Sequence, residues 1–165
     1  MDNLNDKLKT ALSQLIGKEC WGVVAGSGTG TVVSFQIGSK LARDKPIDNP
    51  QLSEDVRNYE GEYCLFIECV WRLESKEEVM CGAWDDNSAD GKMLQGLNML
   101  VGKRVTDLSW VEPAWDLAIT FSNNLQLKVF CDQVNEEDQI DNYMVFTPTD
   151  ILTVGTKSVL EFEQR

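Results

Sequence analysis

Glu68, Arg72 and Asp116 are the side chains whose types could do chemistry together, two carboxylates and a guanidinium on the polar faces of otherwise apolar strand patterns. Two carboxylates can divide general-acid and general-base duty when their surroundings push their pKa values apart. Glu68 and Arg72 share one strand face, about 13 Å apart on a flat strand, too far for a direct ion pair. Each is therefore expected to find partners on neighbouring strands. The alternative to a site is an outward sheet face covered with mixed polar groups.

No histidine occurs in the chain, which removes the commonest general base and every nucleophilic triad that depends on imidazole. Five cysteines, Cys20, Cys64, Cys69, Cys81 and Cys131, form an odd set without a CxxC pair. All lie in or beside apolar, strand-like stretches, where a reduced thiol behaves as a small hydrophobe. The run GSGTG at 26–30 has Thr31 where a third dinucleotide-fingerprint glycine would stand, and a strand pattern follows where a phosphate-binding helix would have to begin. It is expected to be a hairpin loop. Residues 86–91, DNSADG, begin like a calcium loop, but positions nine and twelve fall on Leu94 and Leu97, so the bidentate carboxylate is missing. They are expected to form a loop at a helix start. No catalytic, cofactor-binding or metal-binding residue is assigned.

Charge carries more. Fifteen Lys and Arg against 27 Asp and Glu give a net charge of -12, which disfavours nucleic acid and anionic membrane surfaces, since both are bound largely through basic side chains. The same field would attract a basic protein, or serve solubility alone. The acidic residues gather in three stretches, 132–141, 44–62 and 85–90. The candidate partner-binding residues are Asp85, Asp86, Asp90, Glu136, Glu137, Asp138 and Asp141, with help from the 44–62 stretch. The first two stretches follow equivalent hairpins of a repeat described below, and could form one extended negative surface.

A length of 165 residues suits one domain, with 42% hydrophobic and 25% charged residues as in globular chains. No run of 18 apolar residues exists, and the opening MDNLNDKLKTALSQL has no apolar core of a secretory leader. Residues 6–18, DKLKTALSQLIGK, align without gaps on 91–103, GKMLQGLNMLVGK. Leu8, Leu12, Leu15 and Ile16, and their counterparts Met93, Leu97, Leu100 and Val101, follow helical spacing, so each copy predicts an amphipathic helix ended by Gly17 or Gly102. After the second helix, strands over 115–121 and 125–131 alternate cleanly. A two-residue turn would set Phe121 opposite Gln126. A three-residue loop, 122–124, sets Phe121 against Leu125 and Ile119 against Leu127, with Asn124 left-handed. In the first copy Gly38 is expected at the matching turn position. Residues 62–73 predict one long strand with Tyr63, Leu65, Ile67, Cys69, Trp71 and Leu73 on its apolar face, returning through 75–78 to a strand over 79–84. Strands are also expected over 150–154 and 158–162, and 41–60 is the longest irregular segment. The fold expectation is α+β: two pseudo-repeated halves, 1–84 and 85–165, each an amphipathic helix and an antiparallel β-meander, sharing one core.

Leu15 to Lys18 supply a Leu-x-Gly-Lys step, Gly61 to Arg72 a Gly-x-Tyr-x-x-x-Ile-x-x-x-Trp-Arg strand, and Asp116 to Phe121 an Asp-Leu-x-[IL]-x-Phe hairpin. In these strings the chain resembles a loosely defined family of small, uncharacterised bacterial proteins, some of which are immunity proteins of polymorphic toxin systems. Members usually carry Asn-Gly in the second hairpin, where this chain has Asn123-Asn124. The resemblance implies a cytoplasmic inhibitor of a cognate toxin. The resulting expectation is a non-enzymatic cytoplasmic binding protein with a basic protein partner and no cofactor. The alternative is a small-molecule-binding protein or carboxylate-dependent enzyme with a pocket between the halves around Glu68, Arg72 and Asp116. A structural or oligomeric role is a third possibility.

Overall fold

The computed structural model describes residues 3–165; Met1 and Asp2, the start of the opening string read above, lie outside the described residues. Helix α1 (Leu4–Ser13) starts where the Asn3 carboxamide accepts from the Asn5 amide at 2.6 Å, and it buries Leu8, Ala11 and Leu12. Helix α2 (Glu54–Asn58) interrupts the irregular 41–60 segment, capped by Ser53. Helix α3 (Lys92–Leu97) is shorter than the 91–103 pattern and tightens into a single turn over Asn98–Leu100. Gly17 and Gly102 end the two helical segments at φ 85 and 83. Ile16 and Val101, expected on the buried stripe, are instead 43% and 42% exposed, because each sits past its last helical turn.

The strands are β1 (Glu19–Val24), β2 (Val33–Ala42), β3 (Tyr59–Ile67), β4 (Val70–Glu74), β5 (Val79–Gly82), β6 (Lys103–Val111), β7 (Asp116–Phe121), β8 (Gln126–Phe130), β9 (Tyr143–Phe146), β10 (Asp150–Val154) and β11 (Leu160–Gln164). They form one antiparallel sheet of 11 strands in the order β11-β10-β9-β3-β2-β1-β6-β7-β8-β4-β5. Mixed helix and strand with a large antiparallel sheet is α+β. The three-residue loop at 122–124 is present, with the Phe121 amide donating to Leu125 O at 2.9 Å and Asn124 at φ 64. Strands β6 and β9 had no expected counterpart, and the last strand starts two residues later than 158.

The expected single strand over 62–73 is two strands in different places. Strand β3 lies between β2 and β9, whereas β4 lies between β8 and β5. Every apolar-face residue from Tyr63 to Leu73 is nonetheless buried, so the alternation runs unbroken through the step. The amides of Glu68 and Cys69 both donate to Asn142 O, at 2.9 and 3.0 Å, which satisfies the backbone where it changes partners. Six strand spacings separate β3 from β4 in the sheet order, about 29 Å if the sheet were flat. The 68–69 link spans at most about 10 Å. The sheet must therefore fold back on itself, bringing together a first wing (β1, β2, β3, β9, β10, β11) and a second wing (β6, β7, β8, β4, β5). One continuous apolar cluster fills the space between them. The hairpin β4–β5 is built from the first half of the chain yet belongs to the second wing, and β9–β10 is the converse, so neither half holds its own complete meander.

Gly38 is also placed differently from expectation. It has the positive φ, 85, but at an irregularity within β2 between Ile37 and Lys40, not in a hairpin turn. A Cβ there would stand 2.6 Å from Glu62 Oε1, so glycine serves close strand approach as well as conformation.

Candidate functional site

Loop 85–90 joins β5 to α3. Asp85 Oδ2 accepts from the Gly82 amide at 2.7 Å, blunting the edge of β5. Asp86 accepts from the Ser88 amide and hydroxyl, both at 3.0 Å, and these bonds hold its carboxyl below the ordinary value although it is fully exposed. Asp90 is exposed. The Asn87 carboxamide donates to Gly26 O at 3.0 Å and Gly30 O at 3.3 Å, which ties the loop to the glycine-rich 26–30 segment joining β1 and β2. Among the described residues no set of three or more Cys, Asp or Glu is arranged to hold a metal ion.

Loop 132–141 runs from β8 to β9 and is anchored by Asn142, a buried residue with no exposed surface. The Asn142 carboxamide donates to Gly155 O at 2.8 Å and accepts from the Gln133 amide at 2.9 Å, while its backbone carbonyl serves Glu68 and Cys69. Glu136 pairs with Lys157 at 2.9 Å; Glu137 and Asp138 are exposed. Asp141 is half-buried, and burial followed by the charge of Glu161 pushes its carboxyl above the ordinary value. Glu68 is raised in turn by burial and then by Asp141. Carboxylates from three separate segments thus act in sequence where the chain crosses between wings, Glu161 on Asp141 and Asp141 on Glu68. Nothing about Asn142 in sequence marks it as the hub, beyond a lone carboxamide ahead of the apolar YMVF string.

The third acidic stretch lies elsewhere. Residues 43–58 precede β3, whereas Asn142 meets its far end, so a strand length of about 28 Å separates the two loops. Asp55 also pairs with Lys40 at 2.8 Å and Glu62 with Lys18 at 2.8 Å, which neutralises much of that stretch locally. Glu68, Arg72 and Asp116 have separate neighbours: Arg72 pairs with Glu74 at 2.8 Å, Asp116 accepts from the Cys131 amide at 2.7 Å, and Glu68 feels the like charge of Asp141.

A cleft of about 560 Å³ opens between α1 and the β9–β10 turn, and none of those three residues lines it. Its floor is Ala11, Tyr63 and Leu152, and its rim carries Lys7, Gln14 and Asp150. The Lys7 ammonium lies 3.6 Å from the Phe162 ring centre, and the Tyr63 hydroxyl donates to Gln14 Oε1 at 3.3 Å. All five cysteines are free thiols. Burial pushes Cys20 up to about 12, and Cys64 and Cys81 up to about 11; Cys69 is raised first by its hydrogen bond with the Cys131 thiol and then by burial. Thiols held protonated in this way are poor nucleophiles. No protein-family model, curated protein or solved structure matches the chain.

Proposed function

We propose that the protein is a non-enzymatic binding protein that docks onto a basic protein surface through loops 132–141 and 85–90. The observation that carries this is the state of Glu68 and Asp141, each raised first by burial and then by a neighbouring carboxylate, Asp141 for Glu68 and Glu161 for Asp141: their ionised forms carry unfavourable energy that an incoming Lys or Arg would relieve. Asp86, Asp90, Glu137 and Asp138 extend that surface. The resemblance to immunity proteins supplies the concrete form, a cytoplasmic inhibitor covering the basic active-site groove of a cognate toxin. Capture of the partner from the source cell, followed by titration at low and high salt, tests it. Affinity should fall by about tenfold or more between 50 and 500 mM salt. Salt-independent binding, or binding undiminished when Glu136, Glu137, Asp138 and Asp141 are neutralised together, rejects the mechanism.

The cleft beneath α1 favours a second reading, a small-molecule-binding protein. Its volume of about 560 Å³ is within the range of ligand sites, and it lies between a first-half helix and second-half strands.

We infer further that the chain is a fused duplication. The sheet order reads alike outward from the central β1–β6 pair, with β1, β2, β3 then β9, β10 on one side and β6, β7, β8 then β4, β5 on the other. Two reciprocal pairs of hydrogen bonds support it. The Gly17 amide donates to Val105 O and the Gly102 amide to Cys20 O, each at 2.7 Å. Trp71 Nε1 donates to Thr31 O at 2.8 Å and the Tyr143 hydroxyl to Trp115 O at 2.9 Å, each pinning an exchanged hairpin back to its own half of the chain, across the gap between the wings. A chimera carrying 6–18 in place of 91–103, with glycine kept at position 96, should fold; loss of cooperative unfolding would count against equivalence of the halves.

A further inference from the structure

We propose that the cleft between Arg43 and Arg165, on the outer face of the first wing, binds a small monocarboxylate with an apolar body. The proposal is independent of the acidic-loop reading and concerns the opposite charge. In a chain of net charge -12, two guanidiniums stand over one cavity of about 210 Å³, with a single carboxylate, Glu60, between them. Glu60 does not close the cluster: its oxygens lie 3.7 Å from Arg43 and 3.8 Å from Arg165, beyond hydrogen-bond length. Each guanidinium is already aimed by a backbone carbonyl, Arg43 Nε donating to Val56 O at 3.1 Å and an Arg165 terminal nitrogen to Thr147 O at 3.0 Å. Little side-chain entropy remains to be lost when a ligand arrives.

The cavity floor is polar where an outer sheet face would ordinarily be wet. Ser34 and Gln36 are only 9% and 6% exposed. Gln36 Oε1 accepts from the Gly61 amide at 2.8 Å, while its amide nitrogen has only the Cys64 thiol, at 3.5 Å, as acceptor. That leaves an N–H donor near the thiol, and burial keeps the thiol itself protonated and uncharged. Phe66 and Phe146 wall the same cavity. Two forked cations, an amide donor and two aromatic rings match a planar carboxylate on an apolar body, since guanidinium forks and carboxylates share bidentate geometry. The volume corresponds to about seven waters, enough for a body of a few carbons and too little for a nucleotide.

The second wing shows what the same groups look like when closed. There Glu74 receives Arg72 and Lys128, both at 2.8 Å, and Arg72 lies over Phe130 with 4.8 Å to the ring centre. That triad satisfies itself.

Calorimetric titration of the full chain with benzoate, benzamide and inorganic phosphate tests the site. Benzoate is expected to bind, with benzamide and phosphate each at least tenfold weaker. Arg43→Gln and Arg165→Gln should each weaken benzoate at least tenfold, and Arg72→Gln should leave it within twofold. Glu60→Gln removes the competing carboxylate and should tighten benzoate severalfold, a gain that misfolding cannot produce. Absence of benzoate binding at millimolar concentration, equal binding of benzamide or phosphate, or indifference to both arginine substitutions in chains that unfold at the wild-type temperature would overturn the proposal.

Discussion

The outer faces of the two wings carry the same inventory, two cations and one carboxylate beside an aromatic ring, and use it in opposite ways. On the second wing Arg72, Glu74 and Lys128 meet at 2.8 Å, which holds the Glu74 carboxyl below the ordinary value, first through Lys128 and then through Arg72. On the first wing Arg43, Glu60 and Arg165 stand nearly 1 Å further apart over a cavity. The difference comes from what lies beneath. Alternating polar and apolar residues on β4 and β8 leave the second triad on a solvated surface with room to collapse. On the first wing helix α2 packs against β1 and β3 and buries Val56, which is 3% exposed, and the arginines are drawn aside to backbone carbonyls. Composition therefore does not decide whether a charge cluster is a brace or a receptor; the anchoring of each cation does.

The sharpest break in the likeness of the wings should come from their hairpin pins. Trp71→Ala removes a fully buried ring and a hydrogen bond, and should lower unfolding free energy in urea by about 3–5 kcal/mol. Tyr143→Phe removes only the hydroxyl bonded to Trp115 O and should lower it by about 1–2 kcal/mol. Next in size is the contact of α3 with β5. A Cβ on Gly96 would lie 2.5 Å from the Cys81 sulfur, so Gly96→Ala is expected to be destabilising by about 1–3 kcal/mol, with much of the loss recovered in the double variant with Cys81→Ala. The charge triads come third. At pH 7 Glu74→Gln should lower stability by at most about 1 kcal/mol and Glu60→Gln by almost nothing. Because the folded state depresses the Glu74 pKa, its contribution is present above the unfolded-chain value and fades as pH falls through the folded one. Smallest and opposite in sign is Glu68→Gln. Its carboxyl is raised in the folded state, so ionisation opposes folding: the penalty is absent in acid and complete once pH exceeds the folded value. A gain of a few tenths of a kcal/mol at neutral pH, vanishing in acid, is expected in chemical denaturation.

Local regularities were legible in the chain. The i, i+4, i+7 spacing located both helices, and the pairing of Phe121 with Leu125 set the loop at 122–124 because any other register would mix apolar and polar side chains on one face. Long-range partnership was not legible. An alternation that continues through Glu68 and Cys69 reports which side of the sheet is buried, and says nothing of which strand lies alongside, so the step from β3 to β4 was invisible. The open cluster of Arg43, Glu60 and Arg165 was equally hidden, because its members are 17 and 105 residues apart: the β2–β3 ladder brings Arg43 to Glu60, and the ladders from β3 through β9 and β10 to β11 bring Arg165. The acidic loops were readable as composition, but which charges are paired, Asp55 with Lys40 and Glu62 with Lys18 in one stretch and Glu136 with Lys157 in the other, depended on tertiary neighbours.

The crossed hairpins also govern the order in which the molecule can be made. As the chain leaves the ribosome, Val70–Glu74 must wait for Gln126–Phe130, and Tyr59–Ile67 for Tyr143–Phe146. One apolar strand has a bare edge for about a third of synthesis and the other for nearly half, and closure falls to the final quarter of translation. A transcript cut short after β8 would yield a sticky product, so a cell producing this chain depends on reading its message to the end.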